Sequence, residues 1–236
     1  MPSSLAEVKR ELRQASNRGD AIQLQRYFKT GPGEYGEGDK FIGVRLGPLR
    51  KLARTYRGLT GPDIRNLLQS AIHEERMLAL LILVDQFKRT DDPRREQIYH
   101  LYISNIKRVN NWDLVDVSAP AIVGAYLYDK SREPLYELAQ SGHLWSRRVA
   151  MLSTLYFINQ GDFGDSLKIA RTLLDDDHDL IHKAVGWMLR EIGKRDRKAE
   201  EQFLARHYKE MPRTMLRYAI ERFPESKRKR YLSGTI

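Results

Sequence analysis

Apolar residues recur every three to four positions along most of the chain, the spacing of helices packed on one face. Leu5, Val8 and Leu12 open the first stripe, behind Ser4 and Glu7 at capping-box spacing. Leu46, Leu49, Leu52, Ala53 and Tyr56 form a second. Thr60 and Asp63 repeat the capping-box spacing, and Pro93 after Asp92 marks another helix start. Sustained polar–apolar alternation is missing, as are Asn-Gly and Asp-Gly hairpin turns. The pattern predicts an all-α chain.

Similar helical segments recur. Arg76-Met-Leu-Ala-Leu-Leu-Ile-Leu, Arg148-Val-Ala-Met-Leu-Ser-Thr-Leu, Lys183-Ala-Val-Gly-Trp-Met-Leu-Arg and Arg213-Thr-Met-Leu-Arg-Tyr-Ala-Ile align, their basic residues 72, 35 and 30 positions apart. Trp112 falls midway in the first gap, 36 after Arg76. A period near 30–37 residues with two helices per unit predicts a helical solenoid, whose inner helices line a concave wall. Arg76, Arg148, Lys183 and Arg213 would place positive charge along that wall, unless each only flanks an apolar helix.

The Gly-rich stretch from Thr30 to Gly43 reads as a mobile loop after a short helix around Tyr27. Its literal G-x-G-x-x-G at Gly31, Gly33 and Gly36 lacks the strand and helix that dinucleotide binding requires.

At 236 residues and 41% apolar content, one domain spanning residues 1–236 with a real core is expected. The absence of cysteine excludes disulfides, thiolate metal sites and cysteine nucleophiles. The longest apolar run, Met77 to Val84, has eight residues, against the ~20 of a membrane span, and no leader pattern opens the chain. A soluble cytoplasmic protein is expected. The net charge is +10, and +7 of it lies in the last 50 residues, where 14 Lys and Arg face 7 Asp and Glu. Such a surface favours polyanions, nucleic acid above all. Lys227-Arg-Lys-Arg230 fits a phosphate-facing helix end better than a localisation signal.

The densest candidate for chemistry is Asn110-Asn111-Trp112-Asp113-Leu114-Val115-Asp116. An Asn can cap, and Trp112 and Asp116, four apart, share a helix face. Pro120 leaves the Asp116 carbonyl without its usual N–H partner and should end or kink the helix. Such a pair can stack a sugar or base while the acid faces a reacting carbon; a buried Trp with a capping acid is the alternative. Trp145-Ser-Arg147-Arg148 starts another helix, and Trp187 follows Lys183 by four; each Trp is by default core. His178 and His182 mimic a metal pair but lack a third ligand at a characteristic spacing, so no metal is expected. The preceding Asp175-Asp176-Asp177 reads as a helix start. Serine-hydrolase elbows and P-loops are missing.

Together, Trp112-Asp-Leu-Val-Asp116, Trp145-Ser-Arg-Arg148 and Ala184-Val-Gly-Trp187-Met-Leu-Arg190-Glu191 resemble the bacterial alkylpurine DNA glycosylases built of HEAT-like repeats, the DNA alkylation repair (AlkD) family. The likeness runs in matching order from Arg26-Tyr27-Phe28-Lys29 to the last helices. It implies a right-handed superhelical, C-shaped solenoid with a basic concave face that holds duplex DNA. The implied reaction hydrolyses the N-glycosidic bond of cationic N7- and N3-alkylated purines, without cofactor and without flipping the base. Asp116, Trp112 and Trp187 would be catalytic; Arg148, Tyr27, Lys183, Arg213, Arg76, Arg147 and Arg190 would contact DNA. Leu180 stands where some relatives carry an aromatic. A monomer acting on chromosomal DNA in a bacterial-type cytoplasm is implied. A non-catalytic repeat protein that binds damaged or branched DNA, or a protein scaffold, remains the alternative.

Overall fold

Free N–H groups at the helix starts are met by the side chains just ahead of them. In a computed structural model, which describes residues 4–236, Ser4 accepts from the Glu7 N–H at 3.2 Å and Asn17 from that of Asp20 at 3.0 Å. Thr60 and Asp63 close a reciprocal capping box, and Asp196 takes the Ala199 N–H at 3.0 Å. Each cap contributes about 1 kcal/mol, enough to set where a helix begins.

Among the described residues the helices are α1 (Leu5–Gln14), α2 (Arg18–Tyr27), α3 (Leu46–Thr55), α4 (Gly61–Leu68), α5 (His73–Lys88), α6 (Asp92–Ser104), α7 (Trp112–Ala119), α8 (Ala125–Leu127), α9 (Glu133–Ala139), α10 (Leu144–Asn159), α11 (Gly164–Thr172), α12 (Asp179–Gly193), α13 (Arg197–His207), α14 (Arg213–Ala219) and α15 (Glu225–Ser233). Extended pairing among them is confined to one parallel bridge, Lys40 to Ile72. The fold is all-α.

The chain divides into two compact units, Met1–Ile122 and Val123–Ile236. In the first, α5 packs on α3, α4 and α7. With neighbours on several sides its apolar residues, Met77, Leu78, Leu80, Ile82 and Leu83, are buried around its circumference rather than along one stripe. In the second, α10 packs on α9 and α12, and α12 packs on α13 and α14. Thus α10, α12 and α14 are successive second helices, each opening near its basic residue: Arg148, Lys183 and Arg213 lie within the first five positions. Close contact between α12 and α14 depends on Gly186, where a Cβ would stand 2.4 Å from the Met215 carbonyl oxygen.

Two expectations about irregular segments need correction. The acidic run Asp175–Asp177 does not start a helix; it precedes His178, whose ring caps α12 by accepting from the Leu180 N–H at 3.1 Å. The Gly-rich segment, expected to be mobile, is pinned. The Glu74 carboxylate, at the start of α5, accepts from the N–H groups of Ile42, Gly43 and Val44 at 2.8–3.2 Å. Gly43 has φ +84°, and a Cβ there would lie 2.0 Å from the Asn17 carbonyl. Gln25 secures the Asp39 carbonyl at 2.8 Å.

Candidate functional site

The pinned segment delivers Asp39 into the first unit, where it meets His73 and Arg76 of α5. Asp39 is 4% exposed. One of its carboxylate oxygens takes the Arg76 guanidinium at 2.6 Å and the Asn110 amide at 3.2 Å. The other lies 3.1 Å from His73 Nδ1. On the far side of the imidazole, Nε2 is 2.8 Å from an oxygen of Asp113 in the first turn of α7. Burial pushes the Asp39 pKa up, but hydrogen bonding to His73 and the Arg76 charge outweigh it and hold the carboxyl below its ordinary range. A layer of rings covers the cluster. His73 stacks on Phe41 at 4.4 Å, Phe41 on Phe28 at 5.0 Å, and Phe28 on Trp112 at 5.2 Å.

Helix α7 carries the candidate chemistry. Asn111 caps it, accepting from the Trp112 N–H at 2.8 Å. Trp112 is half-buried; its indole N–H donates to the Tyr35 hydroxyl at 3.3 Å, and Tyr27 meets its ring edge-on at 6.0 Å. Tyr27 is 64% exposed, so its own ring lies open to solvent. Asp116 is half-buried one turn after Trp112. Below it Ser118 donates to the Leu114 carbonyl at 2.5 Å and shares a hydrogen bond with the buried Tyr102 hydroxyl at 3.1 Å. Burial, together with the nearby Asp116 charge, raises the Tyr102 pKa, so this hydroxyl stays neutral. The α-helix ends at Ala119, and a π-turn over Pro120–Gly124 follows. Pro120 therefore ends the α-helix through its missing N–H, as the sequence implied.

In the second unit, Lys183, Trp187 and Arg190 lie at helical spacing along α12. Lys183 pairs with Asp179 at 2.6 Å on an open surface. The Trp187 indole N–H donates to Glu191 at 3.0 Å, and Lys194 donates to the same oxygen at 2.6 Å, fixing the ring's edge. Burial raises the Glu191 pKa, but its bonds to Lys194 and Trp187 lower it more, so it remains a carboxylate. Arg213 at the start of α14 is exposed and donates to the Leu232 carbonyl at 2.5 Å. Arg147 holds Asp176 at 2.5 Å, and Arg190 holds Glu221. Trp145 is core, whereas Trp112 and Trp187 are only half-buried.

Two basic residues depart from the expected row of phosphate contacts. Arg76 is 1% exposed and consumed by Asp39 and the Ser70 carbonyl at 2.9 Å. Arg148 is 4% exposed and donates to the Leu180 carbonyl at 2.6 Å, tying α10 to the start of α12. Both face protein because the segments preceding or following their helices bring acceptors to them. Sequence reasoning missed Asp39, His73 and Glu74 altogether. Their partners lie 30 to 71 positions away, with no characteristic spacing to signal them. Among the described residues, no group of three or more His, Cys, Asp or Glu is placed to hold a metal, and no helix is long and apolar enough to cross a membrane.

Paired helices in series, with Lys183 part-exposed and Arg213 exposed at the starts of α12 and α14, define a helical-repeat protein able to face a polyanion. The family model for DNA alkylation repair enzymes matches residues 8–223, and the chain belongs to that family. It is similar in fold to a solved structure described as a predicted DNA alkylation repair enzyme from Enterococcus faecalis, at 15% identity and TM-score 0.68 over 89% of this chain and 97% of that one. AlkD2 from Streptococcus mutans is also similar, at 20% identity and TM-score 0.56 over 87% of this chain and 97% of that one. A third likeness is to smu.31 from Streptococcus mutans UA159, at 19% identity and TM-score 0.55 over 94% of this chain and all of that one. No curated protein sequence matches.

Proposed function

We propose that this DNA alkylation repair protein is an alkylpurine DNA glycosylase acting as a monomer on duplex DNA in the cytoplasm, without a metal and without flipping the base. The observation that carries the reading is α7. A half-buried tryptophan and a half-buried carboxylate stand one turn apart on a short helix held at both ends. A purine alkylated at N7 or N3 already carries positive charge. Cleavage of its bond to C1′ sends the electron pair to the base, which leaves neutral with no general acid. Charge then develops on the sugar, and Asp116 stabilises it electrostatically. A water adds its oxygen to C1′ and releases a proton to the carboxylate or to solvent. Trp112 offers a π face to the cationic sugar. Tyr27 packs against the backbone. Lys183 and Arg213 contact phosphate, and Trp187 offers its ring to the lesion-bearing strand. Arg148 acts from below, by ordering the start of α12.

The test is Asp116→Asn, which removes the charge and keeps the size. Single-turnover release of N7-methylguanine is expected to fall by ~10²–10³-fold, with thermal unfolding and duplex affinity retained. Wild-type excision by a stable variant would refute the role. Wild-type protein that binds duplex steeply with salt yet releases no base would make it a non-catalytic DNA binder.

A further inference from the structure

Counting donors around His73 gives the cluster a meaning beyond packing. The imidazole lies between two carboxylates, with Nδ1 3.1 Å from Asp39 and Nε2 2.8 Å from Asp113. A neutral imidazole carries one N–H and would turn a lone pair on one carboxylate. Asp39 already accepts from Arg76 and Asn110 on its other oxygen, and the other oxygen of Asp113 accepts from the Leu114 N–H at 2.8 Å. Only the doubly protonated ring donates to both. With it, two carboxylates face two cations, His73 and Arg76; without it the cluster keeps a net negative charge. Phe41 stacks on the ring at 4.4 Å, a face that also favours a cation.

We propose that His73, held as an imidazolium between Asp39 and Asp113, is a positioning residue for Trp112. Asp113 is the next residue in α7, and the ring series His73–Phe41–Phe28–Trp112 links the same two places by packing. Loss of the proton leaves one N–H for two carboxylates, so the bridge from Asp39 through His73 to Asp113 is broken on one side and the first turn of α7 can shift, carrying Trp112 with it. The inference rests on the glycosylase reading for its effect on rate but not for its effect on Trp112.

The charged groups facing His73 are Asp39 from the Gly-rich segment, Asp113 from α7 and Arg76 from its own helix; Glu74 is turned to the amides of residues 42–44. Burial lowers the His73 pKa, but the Asp113 charge and the bonds to Asp113 and Asp39 raise it more, for a net rise above 6.5. The clamp is therefore intact at and below that value and is lost as pH rises through the folded-state pKa.

The experiment uses the full-length protein from pH 6 to 9. ¹⁵N-histidine NMR reads the His73 proton, assigned with His73→Gln. ¹⁹F NMR of 5-fluorotryptophan-labelled protein reads Trp112, assigned with Trp112→Phe. Single-turnover release of N7-methylguanine is followed in parallel. An imidazolium at pH 7 is expected, with the Trp112 signal and the excision rate changing at the His73 midpoint. Asp113→Asn should lower that midpoint, and His73→Gln should excise ~10–100-fold more slowly with no alkaline limb. A neutral His73 at pH 7, or a Trp112 signal indifferent to its titration, overturns the proposal. So does excision that stays flat while His73 titrates. Wild-type protein that excises nothing while Trp112 still follows His73 refutes the glycosylase reading and supports the positioning role.

Discussion

Asp39 in the first unit and Glu200 in the second are both buried carboxylates, 4% and 1% exposed, yet their pKa values move in opposite directions. Asp39 has donors on both oxygens, from Arg76, Asn110 and His73, and is held ionised. Glu200 pairs through one oxygen with Arg197 at 3.1 Å, whose guanidinium is part-exposed, lies over Phe223 and reaches the Arg222 carbonyl. Its other oxygen has no hydrogen-bond partner. Burial prevails, and the Glu200 pKa is pushed up to about 8. Burial alone therefore does not fix whether a carboxyl is charged; the number of donors brought to its oxygens decides the direction of the net shift.

The largest expected effect follows from removing a donor from the satisfied acid. Arg76→Met leaves Asp39 buried beside fewer donors and should cost about 3–5 kcal/mol in urea unfolding, with little change in the salt slope of DNA binding for the fraction that stays folded. An unchanged midpoint would mean that Asp39 does not depend on its arginine.

A pH-dependent effect is expected at the unsatisfied acid, confined to alkaline conditions. Because the folded-state pKa of Glu200 lies above the ordinary 4.5, its contribution to stability is greatest below that value and is lost as pH rises through about 8. Glu200→Gln cannot ionise. It should melt several degrees above wild type at pH 9, where the buried carboxyl of the wild type must ionise, and level with it at pH 5. Equal melting at both pH values would show that Glu200 finds compensation when charged. Asp39 behaves oppositely, its contribution being lost only in acid, as pH falls through its lowered pKa.

The smallest stability effect is expected at an exposed cation. Arg213→Ala should leave unfolding within ~0.5 kcal/mol and lower the salt slope of duplex binding by about one. An unchanged slope would place Arg213 on a solvated face rather than on a phosphate.

Much of the fold was legible because helix signals are local. Ser4, Thr60 and Asn111 cap the helices their spacing announced, and Pro120 ends α7. The basic residues of the repeated segments do open α5, α10, α12 and α14. Trp112 and Asp116 share a turn of α7, as their spacing required. The Gly-rich stretch was misread because glycine content reports the conformations a loop can take, whereas Glu74, 31 positions from Gly43, decides which one is held. His73 resembled any scattered histidine until Asp39 and Asp113 closed on it from 34 and 40 positions away.

The helical class, most helix starts and the register of charge along the helices were thus determined by the sequence alone, since periodicity and capping act within four residues of chain; the start of α12, set by His178 rather than by the acidic run before it, was not. Which charges face solvent was decided only by the tertiary structure. Arg76, Arg148 and Arg213 occupy comparable starts of second helices, and two are buried on protein acceptors while the third is exposed. A cation goes where its desolvation is offset by acceptors, and here Asp39 for Arg76 and the Leu180 carbonyl for Arg148 come from segments tens of residues away.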